Sequence, residues 1–144
     1  MRKRVFSGDW HIKYKIMKLI NSNKLPTSFA PYSRAAIVKN IVFFSGLVGR
    51  NSQGELPTGG ITAEAKTIFA DIEILLEEAG ITKQNICKMN VYIATMDNDK
   101  FAKFNEVYSN WIGSHRPCRT AIGVYSLPKS ANVEIEIIAE KSSY

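Results

Sequence analysis

Four consecutive apolar residues, Ile41-Val42-Phe43-Phe44, constrain the fold of this chain more than any other feature. The run has strand length, and successive side chains of a strand point to opposite faces. Both faces of that strand therefore require burial. The rest of the chain supplies cover for one of them. Ile61, Ala65, Ile68, Phe69, Ile72, Leu75, Leu76 and Ala79 recur at three and four, predicting an amphipathic helix. Thr62 is its expected N-cap and Gly80 its stop, with Glu64, Lys66, Asp71, Glu73 and Glu77 on the outward side. Phe101, Phe104, Tyr108, Trp111 and Ile112 form the stripe of a second helix, capped by Asp97 or Asn98 and ended by Gly113.

Strands fill the intervals. Lys18–Asn21 reads as a short first strand. Ser33–Val38 and Ile41–Ser45 are separated by Lys39-Asn40, which is hairpin spacing, with Asn40 suited to a positive φ. Asn85–Thr95 alternates, with Cys87, Met89, Val91 and Ile93 on one face, and Arg119–Tyr125 and Asn132–Ala139 complete the set. The predicted order is β-β-β-α-β-α-β-β, an α+β fold in which two helices cover one face of a single mixed sheet. The face they leave bare carries half of the 41–44 run, so a second copy of the chain is the expected cover.

Composition excludes several classes. At 144 residues, 45% hydrophobic and 22% charged, the chain suits one globular domain. No apolar run approaches the ~20 residues of a membrane span. The net charge of +6 suggests nucleic acid until it is located: five basic residues and one acidic residue in positions 1–16 carry +4, leaving +2 for the domain. Residues 1–16 are accordingly read as a basic extension and 17–144 as the domain. A basic, almost acid-free extension has the character of a mitochondrial presequence; without that role, a cytoplasmic protein is expected. Cys87 and Cys118 lie in no CxxC pattern, and only His11 and His115 could join them, so no metal site is expected.

Chemistry-bearing residues gather in a few motifs. These are Ala30-Pro31-Tyr32-Ser33, the Phe44-Ser45-Gly46 strand end, GGITAEA before the first helix, and MNVYIATMD at the exit of the long strand. FNEVY follows in the second helix, then RPCRT at 116–120 and LPKSANVEIEIIA at the end. In this order and at this spacing, from about Met17 to Glu140, the chain resembles the RidA (YjgF, or endoribonuclease L-PSP) family of enamine/imine deaminases. The resemblance implies a chorismate-mutase-like homotrimer with active-site clefts between subunits. It also implies 2-imino or enamine acids, such as 2-iminobutanoate and 2-iminopropanoate, as substrates, and no cofactor.

The resemblance assigns roles residue by residue. Arg119 matches the family's substrate-binding arginine; its fork of donors can grip a carboxylate through two parallel bonds. Glu134 matches the glutamate that positions the attacking water, and shares a strand face with Glu136. Tyr32, Ser45, Gly46, Asn105 and Ala121 match pocket positions, while Arg116 is the weaker ligand and His115 reads as a loop-packing residue. The chain departs from the family pattern at Leu47 (commonly Gln), Cys118 (Ala), Ala121 (Cys), Gly123 (Glu) and Ser126 (Arg), which bears on substrate preference. Two other functions compete. One is RNA binding or ribonuclease action, since family members carry the labels endoribonuclease and translation inhibitor; a domain charge of only +2 weighs against it. The other is a small-ligand-binding trimer without turnover.

Overall fold

The apolar run becomes β3 (Ile41–Phe44), which pairs antiparallel with β2 (Ala35–Val38) on one side and β7 (Val133–Glu140) on the other. The computed structural model describes residues 17–141, so the basic extension 1–16 lies outside the described residues. β1 (Lys18–Ile20) forms one edge beside β2, and β5 (Ile86–Ala94) and β6 (Cys118–Val124) extend the sheet beyond β7. The order across the sheet is β1-β2-β3-β7-β5-β6. Among the described residues only β5 and β6 run parallel, because the helix between them returns the chain to the same end. β4 (Leu47–Val48), not foreseen from the sequence, continues past β3 and also pairs with β7. Two residues are too few for any periodicity to register.

Both helices, α1 (Gly60–Ala79) and α2 (Asn98–Ile112), pack on one face. Their apolar stripes meet Val133, Ile135, Ile137 and Ala139 of β7 and Met89, Val91 and Ile93 of β5, all essentially inaccessible. Phe69 of α1 joins the helices by stacking on Trp111 at 4.3 Å and packing against Phe104 at 6.1 Å. The α+β, two-layer, mixed-sheet arrangement is the one that the periodicity predicts. On the opposite face the register lines up Leu19, Ala36, Phe43 and Ile138 across four strands. Leu19, Val38, Phe43 and Ile122 on that face are between 43% and 55% exposed in the single chain. Val42 and Phe44 of the Ile41–Phe44 run are thus in the core, and its open-face side is left bare at Phe43.

Four local expectations are corrected. The left-handed residue of the β2–β3 hairpin is Lys39 (φ 56°), not Asn40. α1 starts two residues before Thr62: Gly59 is its N-cap, at φ 119°, a conformation open to glycine and costly to threonine. A bulge in β5 between Ile86 and Lys88 turns Cys87 to solvent and places Ile86 in the core instead. Glu64 faces inward. It is 2% exposed, and its carboxylate accepts hydrogen bonds from the Asn132 backbone N–H and side-chain amide, both at 2.7 Å.

Candidate active site

The predicted site residues form two groups on this chain. The first is built where β3 ends against β7. Ser45 donates its hydroxyl to the Ser33 carbonyl at 2.7 Å and its N–H to the Arg34 carbonyl at 2.9 Å. These bonds tie the strand end to the loop that carries Tyr32. Tyr32 is half-buried and meets Phe29 edge to face at 6.0 Å. Gly46 lies directly under the Glu134 carboxylate: a methyl group on Gly46 would sit 2.0 Å from Glu134 Oε1. Absence of a side chain at 46 is therefore what gives that carboxylate its position.

Glu134 projects from the open face of β7, opposite Tyr92 of β5 and Val48 of β4. Burial raises its pKa above the ordinary carboxylate value, and the neighbouring Glu136 charge adds to the shift. Glu136 itself is occupied, accepting from Asn90 Nδ2 at 2.7 Å and from the Tyr92 hydroxyl at 3.4 Å. Of the carboxylates on this face of β7, Glu134 is the one whose oxygens are not held by a neighbouring side-chain donor among the described residues, Glu140 accepting from Asn40.

The second group lies on the helix side, at the sheet edge. Arg119 of β6 stands opposite Met89, a core residue, and so points toward α2. Its Nη1 donates to Asn105 Oδ1 at 2.8 Å. Its guanidinium lies over the Tyr108 ring at 4.8 Å and near Phe101 at 6.0 Å, where aromatic faces favour a cation. Among the described residues no carboxylate pairs with Arg119, which leaves most of its donors for an anionic ligand. Tyr108, read from the sequence only as part of the helix stripe, is thus a platform for the guanidinium. Burial raises its phenol pKa, while Arg119 and Arg116 pull it back. Ala121, two residues on, packs partly buried on the same side.

One chain does not bring the two groups together. Arg119 and Glu134 are on strands two positions apart and on opposite faces of the sheet. Two strand spacings and three residues along the register put their backbones on the order of 14 Å apart, before the side chains diverge. Arg116 is engaged elsewhere, donating to the carbonyls of Gly113 and His115. The His115 ring meets the Ile86 carbonyl at 2.8 Å, a packing role. The substituted positions are dispersed: Leu47 is buried in the core, whereas Cys118, Gly123 and Ser126 are exposed. A groove of about 470 Å³ between α1 and α2, lined by Phe69, Glu73, Val107 and Trp111 among others, includes none of the predicted site residues.

Comparison with known proteins supplies the family. The mouse 2-iminobutanoate/2-iminopropanoate deaminase is 35% identical over 130 residues, covering 90% of this chain and 95% of the mouse protein. The yeast mitochondrial protein Mmf1 is 34% identical over 120 residues, 83% of this chain and 81% of that protein. The crystal structure of Escherichia coli TdcF with bound serine superposes with a TM-score of 0.79 at 32% identity, covering 87% of this chain and 99% of TdcF. Residues 22–141 match the family model described as Endoribonuclease L-PSP, and the chain therefore belongs to that family, which is the RidA/YjgF family.

Proposed function

We propose that this protein is a hydrolase that converts 2-imino and enamine acids to 2-keto acids and ammonia, in clefts that two copies of the chain complete. The observation that carries this reading is the division of the site. An arginine fork without a carboxylate partner stands on one face, and a carboxylate with a raised pKa stands on the other. Two copies can join what one separates. The bare apolar row Leu19–Phe43–Ile138 supplies a surface for that contact, and a homotrimer with one cleft per neighbouring pair fits the family's architecture.

In this cleft Arg119 holds the substrate carboxylate through paired N–H···O bonds, with Asn105 fixing the guanidinium plane. Tyr32, Ser45, Gly46 and Ala121 line the remaining contacts. Glu134 of a neighbouring copy takes a proton from water as the water oxygen bonds to the imine carbon, and the C=N π pair moves to nitrogen. Glu134 returns that proton to the nitrogen, which gives the neutral carbinolamine. The carboxylate then takes the hydroxyl proton as the O–H electron pair forms the keto C=O and the C–N bond breaks, and that proton leaves on the nitrogen as ammonia. Water and substrate account for every atom of the keto acid and ammonia. A carboxylate of raised pKa is the better base while it remains ionised, and the imine is already electrophilic, so positioning and proton transfer supply the rate.

The test supplies 2-iminobutanoate from a threonine dehydratase reaction and follows imine decay. The protein should accelerate decay, and Arg119→Ala should reduce that acceleration ~10²-fold or more with an unchanged circular dichroism spectrum. Imine decay at the buffer rate, with cleavage of added RNA, would transfer the protein to the ribonuclease reading. Ligand retained in the cleft without ammonia release would make it a binding protein.

A further inference from the structure

Two arginines outside the groups above are almost completely buried, Arg34 at 6% and Arg50 at 7% exposure. A buried guanidinium is costly unless its donors are used. Neither arginine forms a salt bridge among the described residues. Both instead donate to carbonyls of one loop: Arg34 to Pro26, and Arg50 to Thr27 at 3.1 Å. Their flat faces meet the aromatic rings of the same loop, Arg50 over Phe29 at 4.6 Å and Arg34 near Tyr32 at 5.9 Å. Since Phe29 and Tyr32 are themselves in edge contact, the four side chains form one continuous series of contacts, Arg50–Phe29–Tyr32–Arg34.

The main chain of Arg34 extends the arrangement. Its N–H donates to Asn21 Oδ1 at 3.1 Å, and its carbonyl accepts the Ser45 N–H at 2.9 Å. One residue thus contacts Tyr32 through its side chain and Ser45 through its backbone. Asp71 of α1 is the carboxylate whose field both arginines share. Burial pushes its pKa up to about 6 against their pull, so it sits near them without pairing with either. Arg34 thus meets the ring of Tyr32 directly, and Arg50 reaches it through Phe29.

We infer that Arg34 and Arg50 are positioning residues that hold Tyr32 and Ser45 in place within the site. The inference rests on the reading of Tyr32 and Ser45 as substrate-contacting residues. Neither arginine touches the reacting atoms; each acts through the loop. The fork geometry is what the role needs, since one guanidinium can bond a carbonyl in its plane and stack on a ring across its face.

The test uses the full-length protein and the substitutions Arg34→Gln, Arg50→Gln and Arg34→Lys. Amide hydrogen exchange at Tyr32 and Ser45 should accelerate about tenfold in each Gln variant, with exchange at Ile135 in the core unchanged. With 2-iminopropanoate, Arg34→Gln should lower kcat about tenfold while KM shifts by less than about twofold. In a Tyr32→Ala background the same substitution should cost less than about twofold, because the effect travels through Tyr32. Arg34→Lys keeps the charge and loses the fork, so it should behave as Arg34→Gln does; it also serves if the Gln variant fails to fold. Unchanged exchange at Tyr32 and Ser45 overturns the inference whatever the turnover. So does an equal kinetic loss with and without Tyr32. A wild-type protein that leaves imine decay unaccelerated removes the deaminase reading instead, and the exchange measurement still decides the positioning role.

Discussion

On one face of β7, Val133, Ile135, Ile137 and Ala139 are buried under both helices; on the other, Glu134, Glu136 and Ile138 are only half-covered in the single chain. β6 reverses this division, with Arg119 and Ala121 toward the helices and Thr120 and Ile122 toward the open face. The same period of two therefore places a carboxylate on the open side in one strand and a guanidinium on the helix side in another. A sheet with covered and bare faces can thus carry two groups of polar side chains that one copy keeps apart, each supported by its own surroundings. Under the proposed function, joining them is a matter of association rather than of folding.

The two faces should differ most in what they contribute to stability. Ile135→Ala, on the covered face, should cost about 2–5 kcal/mol in denaturant unfolding. Phe43→Ala, on the bare face, should leave secondary structure intact and weaken the proposed self-association in sedimentation; equal effects from both would mean the faces are not distinct. Complementation is the next test. Arg119→Ala and Glu134→Gln proteins should each be nearly inactive, yet refolding an equal mixture should restore roughly a quarter of wild-type activity, because the proposed trimer would keep one cleft in three intact in each mixed assembly. No recovery would place both residues in one copy's site. Gly46→Ala acts on the first group. The added methyl must displace the Glu134 carboxylate, and kcat should fall about tenfold with little change in melting temperature. The smallest effect is electrostatic. Glu134 must be ionised to act as a base, so the rate should rise with pH through its raised pKa. Glu136→Gln removes the neighbouring negative charge, lowers that pKa, and should shift the acidic limb to lower pH. A limb that moves upward or stays fixed would detach it from Glu134.

The sheet, both helices and the bare face were legible because hydrophobic period and strand length report burial directly. Elsewhere burial and residue type disagreed. Glu64 occupies a stripe position of α1, three after Ile61 and four before Ile68, but its charge suggested the outward side; only Asn132, distant in sequence, makes its burial tolerable. Cys87 fitted the alternation of β5 until a bulge shifted the phase. For the site, motif spacing nominated the residues, but their separation onto two faces depends on the register of β6 against β5. β6 is an edge strand in which no residue is fully buried, so no row of core side chains marks its phase in the sequence. Arg34 and Arg50 went unnoticed because an isolated arginine in a loop looks solvated until its bonds are known.

The place of β6 at the rim of the sheet has a consequence for how this molecule wears out. β7 is laced to β3, β4 and β5, whereas β6 is laced to β5 alone. Heating should therefore fray the guanidinium end of the site while the carboxylate end is still firmly seated. Anion grip would be the first capacity lost, before any bulk signal of denaturation, and a clamp placed across the β5–β6 margin would lengthen working life more than any improvement to the interior.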